Sequence, residues 1–283
     1  MKKKNKTVVI AEAGVNHNGN INLALKLVDV AAKARADYVK FQTYSTGDLV
    51  QKKVGLAKYQ KKNSNKINSQ YKLLKKFELS EQDHIKIINR CKRKKIKFLS
   101  SPFDLKSIEL LKKFKLNLLK IPSGEITNVP YLKKIGTLKK KIIVSTGMSD
   151  MKEVKNAIKI LTSSGTKKKN ITVLHCSSEY PANEDNLNLL SIPYLKKKLK
   201  LNVGYSDHSS GLQASFTAVA LGAKVIEKHF TDDNRRNGPD HKFAMNYKAW
   251  MSMMLETRRL EKALGDGIKK IEKNEKESVI VQR

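Results

Sequence analysis

The chain has 283 residues, of which 40% are hydrophobic, and a formal net charge of +32 at pH 7. This length and hydrophobic content suit one large α/β domain with an extensive core. No apolar run is long enough to cross a membrane, and the apolar stretch behind the basic opening MKKKNK is too short for a signal peptide because Glu12 interrupts it. We therefore predict a cytoplasmic protein with no membrane association.

The excess of lysine raises the question of nucleic-acid binding, because a basic surface attracts phosphate. The lysines are spread along the whole chain, however, and cluster on predicted helix faces such as YKLLKKF and YLKKKLK. Arginine is scarce beside lysine, and no basic motif interleaved with aromatic residues occurs. We interpret the charge as solvated helix faces and predict no nucleic-acid partner. The two cysteines, Cys91 and Cys176, are predicted to be reduced thiols. Cys176 follows His175, but neighbours on a strand point to opposite faces, so we predict that Cys176 packs and does not form a nucleophile pair.

Eight short runs rich in β-branched residues recur along the chain, and a helical pattern follows each. The predicted strands span residues 7–14, 36–42, 96–103, 117–123, 141–147, 171–177, 201–207 and 223–230. The alternation of strands and helices without hairpin signals indicates parallel strands. Eight such units predict a (β/α)8 TIM barrel. A doubly wound open sheet is the second interpretation, but no GxGxxG motif follows the first strand.

Two segments lie outside the regular alternation. Residues 43–79 form a long connection rich in Lys, Gln, Asn and Ser, and we predict a lid or binding loop over the barrel mouth. We assign residues 1–270 to the barrel domain. Residues 271–283, which end in KESVIVQR, are predicted to be a truncated linker.

The predicted strands all end in polar residues, at the end of the barrel where active sites of this fold lie. Ammonium groups and hydroxyl donors on neighbouring strands suit a phosphate and a carboxylate. The residues of this group are Lys40, Ser101, Lys120, Ser123 and Ser145. The alternative is that each lysine only pairs with a nearby acid.

Histidines end two adjacent predicted strands, at His208 and His229. Two converging imidazoles with open coordination positions favour a divalent metal such as Mn, Zn or Fe, the alternative being core histidines with satisfied hydrogen bonds. His17 and His241 lie in predicted loops and fit either interpretation, whereas His84 is predicted to be a surface residue of a helix.

Carboxylates also lie near the predicted mouth, at Glu12, Glu125 and Asp240. They could bind sugar hydroxyls, act in proton transfer, or pair with the lysines. Glu227 and His229 occupy a short apolar strand, and we predict that both face the barrel mouth.

Nine motifs, in order from about residue 8 to residue 265, resemble the sialic acid synthase family, which condenses phosphoenolpyruvate with an N-acetylated mannose-type sugar. The motifs are IAEAGVNHNG, VKFQT, SSPFD, KIPSGEITN, STGMS, LHCSSEYPA, GYSDHS, GAKVIEKHF and GPDHKFAM. Three stretches are most similar to the N,N'-diacetyllegionaminate synthases within that family: AKYQ, SQYKLLKKFELS and SSEYPA.

The resemblance implies a role for each candidate residue. His208 and His229 match the family's metal ligands, with Mn2+ the usual ion and Mg2+ or Co2+ as alternatives. The matches to the phosphoenolpyruvate cradle are Lys40, Ser101, Lys120, Ser123, Ser145, nearby Ser206, and Ser178, where some members have asparagine. The matches to the sugar-binding positions are Glu12, Gln42, Tyr180 and Asp240, with Glu125 beside the reacting carbons. Glu12 and Glu125 are the candidate proton carriers.

The resemblance also implies partners. The expected substrates are phosphoenolpyruvate and an amino-sugar acceptor, with 2,4-diacetamido-2,4,6-trideoxymannose favoured over N-acetylmannosamine and over the altrose that leads to pseudaminic acid. Family members continue into a small antifreeze-like domain that crosses a domain-swapped dimer and supplies an arginine to the sugar site. The sequence stops at VIVQR, so we expect this domain to be absent and a homodimer to be weakened.

Two interpretations from other classes remain beside the synthase. A metal-dependent aldolase or hydrolase on the same barrel would need the histidines but not the lysines and serines of a phosphate cradle. A non-enzymatic basic binding protein would need neither, and its binding to nucleic acid would weaken with salt.

Overall fold

The computed structural model describes residues 6–51 and 69–282. Eight parallel strands form its centre: β1 (Val8–Gly14), β2 (Tyr38–Thr43), β3 (Lys97–Pro102), β4 (Leu118–Ile121), β5 (Lys141–Ser145), β6 (Ile171–Cys176), β7 (Asn202–Asp207) and β8 (Val225–His229). The sheet runs in the order β3-β2-β1-β8-β7-β6-β5-β4, and its end strands β3 and β4 contact each other. The predicted TIM barrel is confirmed, and the open-sheet alternative is wrong.

Helices surround the strands. They are α1 (Ile21–Lys33), α2 (Thr46–Leu49), α3 (Gln70–Phe77), α4 (Glu81–Arg93), α5 (Leu105–Lys113), α6 (Val129–Thr137), α7 (Met151–Ser163), α8 (Ser191–Leu199), α9 (Gln213–Ala220), α10 (Tyr247–Ala263) and α11 (Lys276–Gln282). Ser80 and Asp150 begin α4 and α7 with capping boxes, which satisfy N–H groups of the first turn. In the part of the chain that the structure describes, no helix has the length and apolarity needed to span a bilayer.

The barrel interior has two layers that lie two residues apart on the same strands. The lower layer, which we call the apolar floor, is Ile10, Leu99, Ile143, Leu174 and Val225. Side chains two positions apart in a strand point to the same side, so the next inward-facing residues stand directly above this floor. They form what we call the ionic layer: Glu12, Lys40, Ser101, Lys120, Ser145, Cys176, Ser206 and Glu227. The floor therefore supports a polar site at the carboxyl ends of the strands.

The inside of β7 has room for a glycine only. A Cβ at Gly204 would lie 2.4 Å from the carbonyl oxygen of Val225 and 2.6 Å from Leu174 Cδ2. Any side chain here would push β8 or the apolar floor out of place, so Gly204 fixes how closely β7 and β8 approach each other.

The long connection after β2 contains two short helices, α2 and α3, in its described part. The side chains of Leu73 and Phe77 pack with Val15 and Tyr44, and the Tyr44 hydroxyl donates to the carbonyl oxygen of Leu74 at 3.0 Å. These contacts fix α3 at the barrel mouth. The remainder of the predicted lid, residues 52–68 with the AKYQ motif, lies outside the described residues.

The prediction that His84 lies at the surface is wrong. His84 on α4 is completely buried, with Nε2 2.8 Å from Thr43 Oγ1 and Nδ1 2.8 Å from the carbonyl oxygen of Ser80. Its ring also stacks on Phe114. The imidazole thus joins α4 to β2 on the outside of the barrel.

Candidate active site

A cavity of about 420 Å³ opens at the carboxyl ends of the strands, a size within the usual range for small-molecule sites. Thirteen of the fourteen candidate residues from the sequence line it. They are Glu12, Lys40, Gln42, Ser101, Lys120, Ser123, Ser145, Ser178, Tyr180, Ser206, His208, His229 and Asp240. All eight strands or the loops that follow them contribute, because the carboxyl ends of parallel barrel strands meet at one face.

Glu227 is the shared partner of the two lysines. Lys120 Nζ lies 2.7 Å from Glu227 Oε1, and Lys40 Nζ lies 3.5 Å from Glu227 Oε2 and 3.2 Å from Glu12 Oε2. Hydroxyl groups complete the layer, since Lys40 Nζ donates to Ser101 Oγ at 3.1 Å and Ser206 Oγ donates to Glu227 Oε1 at 3.1 Å. Both lysines are at most 4% exposed, so these contacts are what keeps two charges inside the protein.

The two glutamates of the ionic layer differ in acidity. Burial raises the pKa of Glu12, even though Lys40 lies beside it. Burial also opposes the ionisation of Glu227, but Lys120 and Lys40 outweigh it and bring the pKa of Glu227 to about 2. Burial lowers the pKa of Lys120, whereas for Lys40 the attraction of Glu12 and Glu227 outweighs burial and raises the pKa. Glu227 is therefore the fixed counter-ion, and Glu12 is the carboxyl group that more readily holds a proton.

A group of small residues forms one wall of the cavity between β4, β5 and β6. Ser123 Oγ accepts a hydrogen bond from the Gly147 N–H at 3.0 Å and lies 3.3 Å from Cys176 Sγ. A Cβ at Gly147 would lie 2.2 Å from Ser178 Oγ, so a side chain there would displace the Ser178 hydroxyl from the cavity wall. The hydroxyl of Ser145 is buried and has no hydrogen-bond partner. An acceptor atom of a ligand would satisfy this hydroxyl.

The two candidate metal ligands lie side by side. The ring centroids of His208 and His229 are 5.6 Å apart, and the Tyr180 ring lies 4.2 Å from that of His208. His208 Nδ1 is 2.5 Å from the carbonyl oxygen of Ser177, which fixes Nδ1 as the donor and leaves Nε2 with a lone pair. Burial lowers the pKa of both imidazoles, most strongly that of His229, so both are neutral as metal ligation requires.

The donor set fits a divalent cation with open coordination positions. His229 Nδ1 is a buried atom without a hydrogen-bond partner, and its nearest carboxylate oxygen, Asp240 Oδ2, is 3.6 Å away. Within residues 6–51 and 69–282, no three His, Cys, Asp or Glu side chains converge as a complete metal-ligand set. A metal here would therefore take two imidazoles from this part of the chain and fill its other positions with substrate and solvent.

Acceptor-binding candidates converge around Gly14 at the end of β1. This glycine has φ +51°, and a Cβ there would contact Glu12 Oε1 at 3.4 Å, Asp240 Oδ2 at 3.5 Å and Gln42 Nε2 at 3.7 Å. Burial, together with the charge of Glu12, raises the pKa of Asp240 to about 7. Two carboxyl groups and one amide thus face a common point and could exchange hydrogen bonds with sugar hydroxyls.

Glu125 lies outside the cavity lining. Strand β4 ends at Ile121, and in the 3-10 helix Ser123–Glu125 that follows, Ser123 and Gly124 line the cavity but Glu125 does not. The Glu125 carboxylate accepts a hydrogen bond from Asn128 Nδ2 at 2.7 Å, and burial raises its pKa.

The neighbouring residues His175 and Cys176 lie on opposite faces of β6. As predicted, their side chains diverge, and His175 Nε2 contacts the carbonyl oxygen of Leu187 at 2.7 Å outside the barrel. Cys176 is buried on the inner face of β6, where it lines the cavity beside Ser123. Both cysteines are free thiols, as predicted.

Sequence reasoning did not identify an apolar side of the cavity. Its residues are Val15, Leu73, Leu74, Phe77 and Phe103. The available signal was the three- and four-residue spacing of the apolar residues in α3, directly after the long polar connection.

Comparisons with known proteins identify the family of this chain. The NeuB family model matches residues 27–269. An N,N'-diacetyllegionaminic acid synthase from Campylobacter jejuni is 48% identical over 278 residues, 98% of this chain and 83% of that protein. A protein of the same name from Legionella pneumophila is 44% identical over 269 residues, 94% of this chain and 76% of that protein.

Among solved structures, the N-acetylneuraminic acid (sialic acid) synthetase from Leptospira borgpetersenii, in complex with citrate, matches with a TM-score of 0.86. The two are 33% identical, and the match covers 99% of this chain and 92% of that one. The resemblance predicted from nine motifs is therefore confirmed over nearly the whole chain. The chain belongs to the NeuB family of sialic acid synthase-like enzymes.

Proposed function

We propose that this protein condenses phosphoenolpyruvate with 2,4-diacetamido-2,4,6-trideoxymannose to form a legionaminic acid and release phosphate. The observation that carries this proposal is a cavity that joins two buried lysines and the unpartnered hydroxyl of Ser145 to a pair of neutral histidines. An aldolase or hydrolase would need the histidines alone. Only a reaction with a strongly anionic co-substrate uses the lysines, serines and histidines together.

Phosphoenolpyruvate binds at the ionic layer in this proposal. Its phosphate and carboxylate meet Lys40 and Lys120, whose ammonium groups are already held in position by Glu227. Ser145 brings a hydroxyl that has no other partner, and Ser123 brings a second on the neighbouring strand end. Because these donors are fixed before the ligand arrives, little free energy is lost in orienting them.

The acceptor sugar binds closer to the mouth, between Gln42, Tyr180 and the carboxyl groups of Glu12 and Asp240. His208 and His229 would hold the divalent cation, which we propose to be Mn2+. When bound, this cation supplies Lewis-acid polarisation of the aldehyde oxygen of the open-chain sugar. The identity of the acceptor is supported by the name that the Campylobacter and Legionella relatives share.

Atoms and protons balance in this reaction. C3 of phosphoenolpyruvate attacks the aldehyde carbon, the aldehyde oxygen takes up a proton, and a water that loses a proton adds to C2. The resulting hemiketal phosphate breaks the C2–O bond to phosphate, and its C2 hydroxyl gives its proton to the departing phosphate. The products are inorganic phosphate and the 2-keto acid. Glu12 is the group that receives and returns the proton, because it lines the cavity and burial raises its pKa. The lysines offset the phosphate charge throughout.

The test is inorganic phosphate release from phosphoenolpyruvate with Mn2+, measured in parallel with the diacetamido sugar, with N-acetylmannosamine and without sugar. We expect release that depends on the diacetamido sugar and stops when EDTA removes the cation. Release that is independent of any sugar, or sugar cleavage that needs no phosphoenolpyruvate, would contradict the proposal and favour a hydrolase or an aldolase.

A further inference from the structure

We infer that the apolar side of the cavity selects the acceptor, by binding a methyl-bearing substituent of the sugar. This apolar wall consists of Val15, Leu73, Leu74, Phe77 and Phe103. The inference rests on the proposed function and adds to it a surface that favours a diacetamido, 6-deoxy sugar over a hydroxylated one.

The orientation of α3 places three residues of the wall at the cavity. Helix α3 turns Leu73, Leu74 and Phe77 inward, whereas Lys72 and Lys76 of the same helix are exposed to solvent. The Tyr44 hydroxyl donates to the carbonyl oxygen of Leu74 and fixes the helix in this rotation.

The wall residues differ in what they can do. Leu73 and Phe77 are 2% and 4% exposed, so most of their surface packs against the barrel mouth. Leu74 and Phe103 are only half-buried although they line the cavity. The free surface of these two side chains is therefore available to a ligand, and Leu74 is the better probe because it makes a smaller part of the packing.

The chemistry of the wall contrasts with the rest of the cavity. The ionic layer, the histidines, Gln42 and Asp240 present charges and hydrogen-bonding groups. Val, Leu and Phe side chains carry no hydrogen-bonding atom, so a sugar hydroxyl placed against them loses water and gains no partner. A methyl group in the same place loses no hydrogen bond and buries apolar surface.

The candidate acceptors differ in these groups. The 2,4-diacetamido-2,4,6-trideoxy sugar carries two acetamido methyl groups and a methyl at C6, where N-acetylmannosamine has one acetamido methyl group and hydroxyls at C4 and C6. Apolar pockets discriminate methyl-sized differences by about 10- to 200-fold. We therefore assign to Leu74 a part of the preference between these two sugars.

The experiment measures kcat/KM for both sugars, and KM for phosphoenolpyruvate, in the wild type and in three variants. Leu74→Ser exposes a hydroxyl on the wall, Leu74→Met keeps it apolar, and Lys72→Ser makes the same kind of change on the exposed face of α3. We expect Leu74→Ser to lower kcat/KM for the diacetamido sugar about 10-fold more than for N-acetylmannosamine, with KM for phosphoenolpyruvate unchanged. The Met and Lys72 variants should keep the wild-type ratio.

The experiment distinguishes failure of the proposed function from failure of the wall assignment. No phosphate release by the wild type with either sugar overturns the proposed function and the wall assignment with it. Release with an equal loss for both sugars in Leu74→Ser, or a rise in KM for phosphoenolpyruvate of the same size, leaves the function standing and overturns the wall assignment. A wild-type preference for N-acetylmannosamine also overturns it.

Discussion

The apolar floor and the ionic layer occupy the same strands and are buried to a similar degree, yet substitutions in them should have different effects. Ile143 in the floor is 2% exposed and Glu227 above it is 4% exposed. In the floor each side chain is stabilised by its own contacts, so a loss stays local. In the ionic layer Glu227 contacts Lys40, Lys120 and Ser206 together, so its loss affects three other strands and leaves Lys120 without an acidic partner. Burial is therefore a poor guide to how a substitution acts here.

Removing the charge of Lys120 should give the largest loss of activity without unfolding the protein. Lys120→Met replaces a buried charge by an apolar side chain of similar length, and Glu227 keeps Lys40 as a partner. We expect phosphate release to fall about 1000-fold, since loss of one fixed group that stabilises transition-state charge costs this much. The measurement is kcat/KM for phosphoenolpyruvate, with Lys86→Met on the exposed face of α4 as the control. A loss below 10-fold would show that Lys120 only balances Glu227.

Removing the shared anion should instead damage stability. Glu227→Gln keeps the shape but leaves Lys120 without an acidic partner, at a cost of about 3 kcal/mol in the free energy of unfolding. The pKa of Lys120, already lowered by burial, falls further, so the unfolded state binds more protons than the folded state between this lowered pKa and about pH 10. The cost should therefore shrink as pH rises toward 10.

Urea unfolding of Glu227→Gln at pH 7 and pH 9.5 provides this measurement. Ser206→Ala, which removes one hydrogen bond to the same carboxylate, is the control and should cost about 1 kcal/mol. Equal costs for the two variants would mean that Glu227 acts through hydrogen bonds and not through its charge.

At the mouth, a metal should stabilise the folded protein through the two histidines. Mn2+ at 100 times its dissociation constant should add about 2.7 kcal/mol to the free energy of unfolding of the wild type. His229→Ala should lose this increment, because one of two imidazole ligands is gone. Thermal unfolding with and without Mn2+ measures it. His175→Asn, on the outer face of β6, should keep the increment. An undiminished increment in His229→Ala would refute the metal assignment.

The apolar floor should give the smallest effect. Ile143→Val deletes one buried methylene from a well-packed layer and should cost about 1 kcal/mol in the free energy of unfolding. Turnover should stay within about twofold, because the charged groups above keep their partners. Chemical denaturation and the phosphate-release assay on one preparation measure both quantities. A tenfold loss of turnover would show that the two layers are coupled.

The strands and most of the site could be predicted from the sequence, since both depend on local pattern. Polar residues at the ends of apolar strands must meet at one barrel face, so the strand pattern alone was enough to predict that Lys40 and His229 share one cavity. The pairing of Lys120 with Glu227 could not be predicted, because these residues are 107 positions apart and meet only through the strand order.

The remaining differences also have physical reasons. Alternation along a strand gives two faces but does not say which one is inside, so Cys176 fitted either side. Glu125 ends a 3-10 helix that strand periodicity does not describe, and its carboxylate bonds to Asn128 while Ser123 and Gly124 of the same helix line the cavity. His84 is polar at a helical position that faces the barrel, and only its contacts with Thr43 and Ser80 make burial acceptable.

The place of Glu227 in the last strand has a consequence for synthesis. A chain leaving the ribosome presents Lys40 and its first partner Glu12 together, because β1 and β2 are neighbours in sequence and in space. Lys120 emerges more than a hundred residues before Glu227 and has to remain hydrated until β8 is made. Insertion of β8 between β1 and β7 thus neutralises the interior and completes the cylinder in one event. A fragment that ends before β8 would lack the acidic partner of Lys120.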